Sequence, residues 1–299
     1  MELKAIACGE SGVILQVEPQ EGKAMMRTKE YSADYNAGTA ILLRLAKPFA
    51  GTGRSIVADS AFSSVQTLKA LTILFGLWFM GMVKTAHALF PKEFFEDWFS
   101  DNERKRGDSI VLGSTYNNPN TGLQEPIYAA TWKDRKIKHI VTNIGTTFQA
   151  EDSVRDRVKV QMNSSTGELY DEHYKLNVPR NNMLFKFFQY YGTIDVHDHY
   201  RQGNLALERH WITRKWFHSF FRTMLGVIIT NAYLTYRFET NASSAEVDYE
   251  DFSEFLGKLA FEMIHKFKPN FSHRKSSHSS SSSSSNTLAP VKSHVFWNQ

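Results

Sequence analysis

Between residues 55 and 83 the chain runs through a short apolar stretch, a helical stretch and a second apolar stretch, which leaves little room for anything but a parallel crossover. Ser55-Ile56-Val57-Ala58-Asp59 reads as a strand ending on a carboxylate, Ser63 to Phe75 as a helix, Gly76 as its stop, and Leu77 to Val83 as a fully buried strand. A strand, a helix and a strand at this spacing pack with right-handed parallel topology. An α/β fold follows. Upstream, residues 4–17 alternate loosely around Gly9-Glu10-Ser11-Gly12 and read as a hairpin, and Tyr35 to Leu45 reads as a helix ending near Lys47-Pro48.

Downstream the character changes twice. Residues 87–179 carry the charged run Glu103-Arg104-Lys105-Arg106, the turn Asn117-Asn118-Pro119-Asn120, and strand patterns at Ile127 to Trp132 and Ile137 to Thr142. They read as a separate β-rich insertion. Residues 180–271 return to helices: Asn182 to Tyr191, Thr213 to Phe238, and a last one with Phe252, Phe255, Leu256, Leu259, Met263 and Ile264 on one face. Residues 272–299 include the Ser-rich tract 276–285, which cannot bury enough apolar surface to order itself and reads as a disordered tail.

Composition sets the remaining bounds. With 299 residues, 42% of them hydrophobic and 22 Phe, the chain can fill a real core. The net charge of +4 is spread over 35 basic and 31 acidic residues, which leans towards an anionic partner without identifying one. Cys8, the single cysteine, excludes an internal disulfide and a cysteine-based zinc cluster, and reads as a small buried apolar residue. The longest apolar stretch, Leu71 to Val83, is short of the ~20 residues a membrane helix needs, so a soluble protein is expected.

Three carboxylates stand out. Asp59 closes a strand where α/β folds bind ligands, although an Asp there also serves as a helix N-cap. Asp195 and Asp198 are three residues apart in a helical segment and can share a face, either as a solvated surface or around a cation. His197, His199 and His210 match no zinc signature and read as exposed.

These pieces occur together in one order. Val57-Ala58-Asp59-Ser60-Ala61-Phe62-Ser63-Ser64 resembles the second catalytic block of piggyBac-type transposases. Gly81 through Lys84 to Pro91 is similar to the strand and basic turn entering that family's insertion domain, and Ile127 to Val141 to the insertion's paired strands. Gly192-Thr193-Ile194-Asp195-Val196-His197-Asp198 resembles the block written G-G-V-D-x-x-D, with Trp216, Asn231 and Tyr236 at matching spacing in the helix that follows.

The resemblance implies an RNase H-like core, interrupted by the β-rich insertion and closing with long helices, that cuts and joins DNA with two divalent ions. Mg²⁺ or Mn²⁺ is expected and zinc is not. Asp59 would be the second metal ligand, Asp195 the third, and Asp198 an auxiliary catalytic carboxylate. Lys84, Arg214 and Lys215 would contact DNA phosphates, and Trp216 would pack near the DNA end. A nuclear location, and the homodimer of full-length members, follow from the same resemblance.

Four departures accompany it. The family's first catalytic Asp stands on a strand upstream of the hairpin that starts at Leu3, so an incomplete core without strand transfer is expected. Thr193 replaces a common Gly, the stretch from Asp195 to Trp216 is longer, and the Ser tract stands in place of a cysteine-rich module. A remnant kept for DNA or protein binding, and a piece of a longer active transposase, are the alternative expectations.

Overall fold

The structure, a computed structural model, describes residues 2–84, 88–101, 103–162, 169–243 and 250–266. Two compact units result, Met1–Ala245 and Glu246–Gln299. In the first, strands β1 (Leu3–Ala7) and β2 (Ile14–Pro19) form the expected antiparallel hairpin. Gly12 turns it at φ 77°, a backbone conformation that side chains disfavour. Helix α1 (Lys23–Thr28) is short, and α2 (Ala37–Ala46) is capped by Asn36, whose side chain accepts a 3.0 Å hydrogen bond from Thr39 N.

The crossover is present as read. Strand β3 (Ser55–Ala58) leads to α3 (Val65–Phe75) and β4 (Trp78–Val83), and the strands pair in parallel from Ser55 opposite Trp78 to Ala58 opposite Gly81. Ser64 caps the start of α3, and Gly76 ends it in the left-handed conformation at φ 62°. Burial of β4 is incomplete, since Trp78 at its start is exposed.

After α4 (Lys92–Ser100), the strands β5 (Ser109–Asn117), β6 (Gln124–Lys133) and β7 (Ile137–Thr142) do not form a sheet of their own. They extend the crossover sheet, giving the order β3-β4-β7-β6-β5 with β7 antiparallel to β4. Ile140, Val141 and Thr142 of β7 are buried, so this strand needs layers on both faces and finds them beside β4. Strands β8 (Ser153–Met162) and β9 (Leu169–Val178) stand apart as a two-stranded ribbon.

Period-two alternation sorts the sheet's side chains into two cores. Ile56, Ala58, Phe79, Val83 and Val141 face Leu42, Leu43, Leu68, Leu71 and Phe95 of α2, α3 and α4. Met80, Trp132 and Ile140 instead face Met183, Leu184 and Phe187 of helix α5 (Asn182–Tyr191). The result is three layers. Leu43, Leu68 and Leu71 are fully buried, each stabilising the fold by roughly 1.5–3 kcal/mol. Helices α6 (Thr193–Asp198), α7 (Leu207–His210) and α8 (Trp216–Ser243) follow, with a π-helical turn at His199–Leu205 between the first two.

Among the described residues, β1 pairs only with β2, and β3 only with β4. Side chains join the hairpin to the rest. Asn231 of α8 accepts from Ile14 N at 2.8 Å and donates to Ile14 O at 2.9 Å. Glu18 of β2 takes Arg44 of α2 in a two-pronged ion pair at 2.7 and 2.9 Å, and Ile6 packs on the first core. Cys8 is only partly buried.

In the second unit, α9 (Phe252–His265) is capped by Asp251, which accepts from Glu254 N at 2.8 Å. The Ser tract lies outside the described residues, and no described helix is long and apolar enough to cross a membrane. Replacing Asn231 with Ala should cost about 1–3 kcal/mol, because both Ile14 backbone groups lose their partner. Amide exchange at Ile14 should accelerate; unchanged protection there would show that the hairpin is held by other contacts.

Candidate active site

Asp59 follows β3 directly and is exposed. It is not the N-cap of α3, since Ser64 fills that role. One carboxylate oxygen of Asp59 accepts from Ala61 N, and its carbonyl accepts a 2.6 Å hydrogen bond from Ser63 Oγ, so the turn after the strand is tied to itself. The first turn of α2 presses on this loop. A Cβ at Gly38 would overlap the Ala61 carbonyl, and one at Gly81 would meet Ser63 Oγ.

Asp195 comes to the same place from the other end of the chain. It is exposed on α6, just after Tyr191 closes α5. Burial first, and then the negative charges of Asp59 and Asp195, raise the Tyr191 phenol above its ordinary value of 10.0. Two carboxylates remote in sequence thus act on one phenol.

Asp198 turns away from that pair. Its carboxylate accepts from Arg201 Nη2 at 2.7 Å and Nε at 3.1 Å, and Arg201 also reaches Glu208. The acid is held below its ordinary 3.8 by His197 and then Arg201, while burial pushes the other way. His197 Nδ1 lies 4.0 Å from the carboxylate, too far for a formed hydrogen bond, so the Arg201 contact is the firm one. Arg201 is almost buried, and Gly226 of α8 makes room for its stem. His197 departs from the expected exposure: it is 1% exposed because α6 turns it inward, whereas His199 and His210 are exposed.

The residues expected on DNA lie on the surface. Lys84 is exposed just past β4, and Arg214 and Lys215 precede α8. Trp216 opens that helix 75% exposed. Sequence reasoning missed their aromatic neighbours: Trp211, Phe217 and Phe221 are exposed as well, with Trp211 and Phe221 in edge contact and the Lys215 ammonium 5.9 Å from the Phe217 ring. Five aromatics within residues 211–221 were the available signal. A basic and aromatic surface of this kind attracts phosphates and offers faces for base stacking.

Among the described residues, no group of three or more His, Cys, Asp or Glu side chains is placed to hold a metal ion. The donor chemistry of Asp59 and Asp195 nevertheless fits a hard cation, because Mg²⁺ is commonly held by one or two carboxylates together with water and substrate phosphate.

A mixed five-stranded sheet between helical layers, with an Asp at the end of its crossover strand, is the RNase H-like architecture of DDE transposases. Residues 1–233 match the family model described as Transposase IS4, and the chain belongs to that DDE transposase family. Comparison with curated proteins and with solved structures found no match.

The Asp198–Arg201 pair gives a pH test. A carboxyl whose folded value is depressed contributes stability above its unfolded value, and loses it as pH falls through the folded one. Asp198→Asn should therefore lower stability at neutral pH by about 0.5–1 kcal/mol, a modest figure because solvent reaches the carboxylate. Thermal unfolding should show the gap from the parent closing below roughly pH 4; a gap independent of pH would mean that the charge is not what Arg201 reads.

Proposed function

We propose that this chain is a piggyBac-type transposase domain that binds DNA, in which Asp59 and Asp195 supply two carboxylates of a divalent-metal site. The place of Asp59 directly after the crossover strand β3, in a chain that matches the DDE transposase family over residues 1–233, carries this reading. The order of the blocks at Val57–Ser64 and Gly192–Asp198, with Trp216 beyond them, supports the piggyBac assignment within the family.

Each residue has a role in it. Asp59 is fixed by Ala61 N and by the short loop under Gly38, so its carboxylate is oriented before any substrate arrives. Asp195 on α6 would supply the second carboxylate, and a bound cation would offset the charge of both. Mg²⁺ or Mn²⁺, when bound, would activate the attacking hydroxyl and stabilise the leaving oxygen in an in-line displacement at phosphorus. Lys84, Arg214 and Lys215 would neutralise phosphates, and Trp216 would stack at the DNA end.

A third carboxylate would belong on a strand paired with the free edge of β3. From the described residues alone we expect DNA binding without strand cutting. A nuclear location and a homodimer accompany this proposal. The exposed aromatic and basic surface at the start of α8 equally favours retention as a DNA-binding module without catalysis.

Two measurements test the reading. Incubation of linear duplex DNA with the protein and Mg²⁺ or Mn²⁺ should give binding and no cleavage; reproducible cleavage that Asp59→Ala abolishes would overturn the inactive assignment. Titration of Tyr191 by ¹³C NMR should show its phenol pKa falling towards 10.0 in Asp59→Asn and in Asp195→Asn, and on addition of Mg²⁺. No movement in any of the three would remove the carboxylate pair.

A further inference from the structure

The ribbon of β8 and β9 is ten residues long on each strand and pairs from Ser153 opposite Val178 to Met162 opposite Leu169. No third strand joins it among the described residues, and a two-stranded ribbon alone is marginal in water. Directly opposed residues share a face, so the register sorts its side chains into two sets. One set mixes exposed apolar residues, Val154, Val158, Val160 and Met162, with Asp156, Asp171, His173 and Lys175. The other carries Arg155, Arg157 and Lys159 at every second residue of β8, opposite Leu176, Tyr174 and Glu172, with Tyr170 further along.

The charges are segregated by face. Among the described residues of the two strands, Glu172 is the only carboxylate on the side of the three cations, and Gln161 donates to it. Asp156 and Asp171 lie on the reverse, offset by Lys175. Asp134 meets the innermost cation, with Arg155 Nη2 at 3.6 Å, which anchors the base of the ribbon; among the described residues Arg157 and Lys159 have no ion partner.

We infer that this cationic face, carried by Arg157 and Lys159 with Tyr170 and Tyr174 beside them, is a docking surface for double-stranded DNA. It rests on the DNA-acting reading above, and adds to it a surface remote in sequence from Asp59, Asp195 and Trp216. The dimensions agree. Ten residues at roughly 3.3 Å each span about 33 Å, close to one turn of B-DNA, and a two-stranded ribbon fits the ~12 Å major groove. Evenly spaced cations along a strand suit a line of phosphates, and tyrosine hydroxyls also bond phosphate oxygens. A second copy pressed on this face would bring Arg157 and Lys159 against their own kind.

The test is the salt dependence of binding to a random-sequence duplex of about 20 base pairs, followed by fluorescence anisotropy. Each cation that neutralises a phosphate contributes about 0.9 to the slope of log affinity against log salt. Arg157→Gln and Lys159→Gln should each flatten the slope by that amount, and the double variant by about twice as much. Lys175→Gln removes the same charge from the reverse face and should leave the slope unchanged, and Arg157→Lys should restore it. Thermal unfolding should be alike in all variants.

Binding by the parent with a slope that the double variant does not move overturns the ribbon proposal alone. An equal effect of Lys175→Gln also overturns it, because net charge would then be acting without a face. Loss of self-association at unchanged DNA affinity would reassign the face to an interface between copies. A parent that binds no duplex at any salt overturns both the ribbon and the DNA-acting function.

Discussion

A strand edge exposes backbone groups that must find partners, and this requirement governs how the first unit is put together. The hairpin of β1 and β2 is not hydrogen-bonded to the main sheet, so its place depends on side chains. The amide of Asn231 does for Ile14 what a neighbouring strand would do, satisfying one N–H and one C=O together. Since Asn231 sits in the second half of α8, the same clamp fixes the helix whose first turn displays Trp216. The Glu18–Arg44 pair secures the hairpin from the other side, through α2. With α2 so placed, Gly38 meets the loop after Asp59, and packing far from the chemistry sets where the carboxylate stands.

The crossover then accounts for the meeting of distant acids. β3 must emerge beside β4, α3 must cover one face, and the opposite face is left to α5, which ends on Tyr191. Asp195 follows within a turn of helix. Burial, and then the two negative charges, disfavour ionising the Tyr191 phenol. Asp198, three residues on, escapes this conflict by pairing with Arg201, which the π-helical turn carries inward. Neighbouring acids of one motif thus serve different ends: Asp195 stays exposed on α6, and Asp198 neutralises a buried guanidinium.

Much of this was legible in the residues. The crossover could be read from length and punctuation alone, with Gly76 marking the end of its helix and the start read at Ser63, two residues before the observed Val65. α5 was read with its observed bounds. The carboxylates were picked from their strand end and helical spacing, but no local pattern shows that Asp59 and Asp195 share Tyr191, because that contact depends on how α5 packs across the sheet. His197 was misread for a related reason: His197, His199 and His210 are similar by composition, and only the path of α6 buries the first. The β-rich stretch was read as separate because its strands are recognisable locally, whereas joining β7 to β4 is decided by pairing between distant segments.

The ribbon shows the opposite failure, since its pattern was on display and went unread. Ser153-Val154-Arg155-Asp156-Arg157-Val158-Lys159-Val160 alternates strictly enough to assign a strand. It lacks the long apolar run that marks a core strand, and so was left without an element inside the β-rich stretch 87–179. Yet the period-two rule that divides β4 between two cores, with Phe79 to one side and Met80 to the other, also divides β8 between valines and cations. In the sheet each face is covered by helices, so alternation there contributes stability. On the ribbon only the base, at Ser153, Leu176 and Val178, is covered within the described residues, and a register slip of one residue would move the cations to the other side. The ten-residue pairing holds Arg155, Arg157 and Lys159 on one side, which for a surface meant to meet a polyanion is the property that alternation secures.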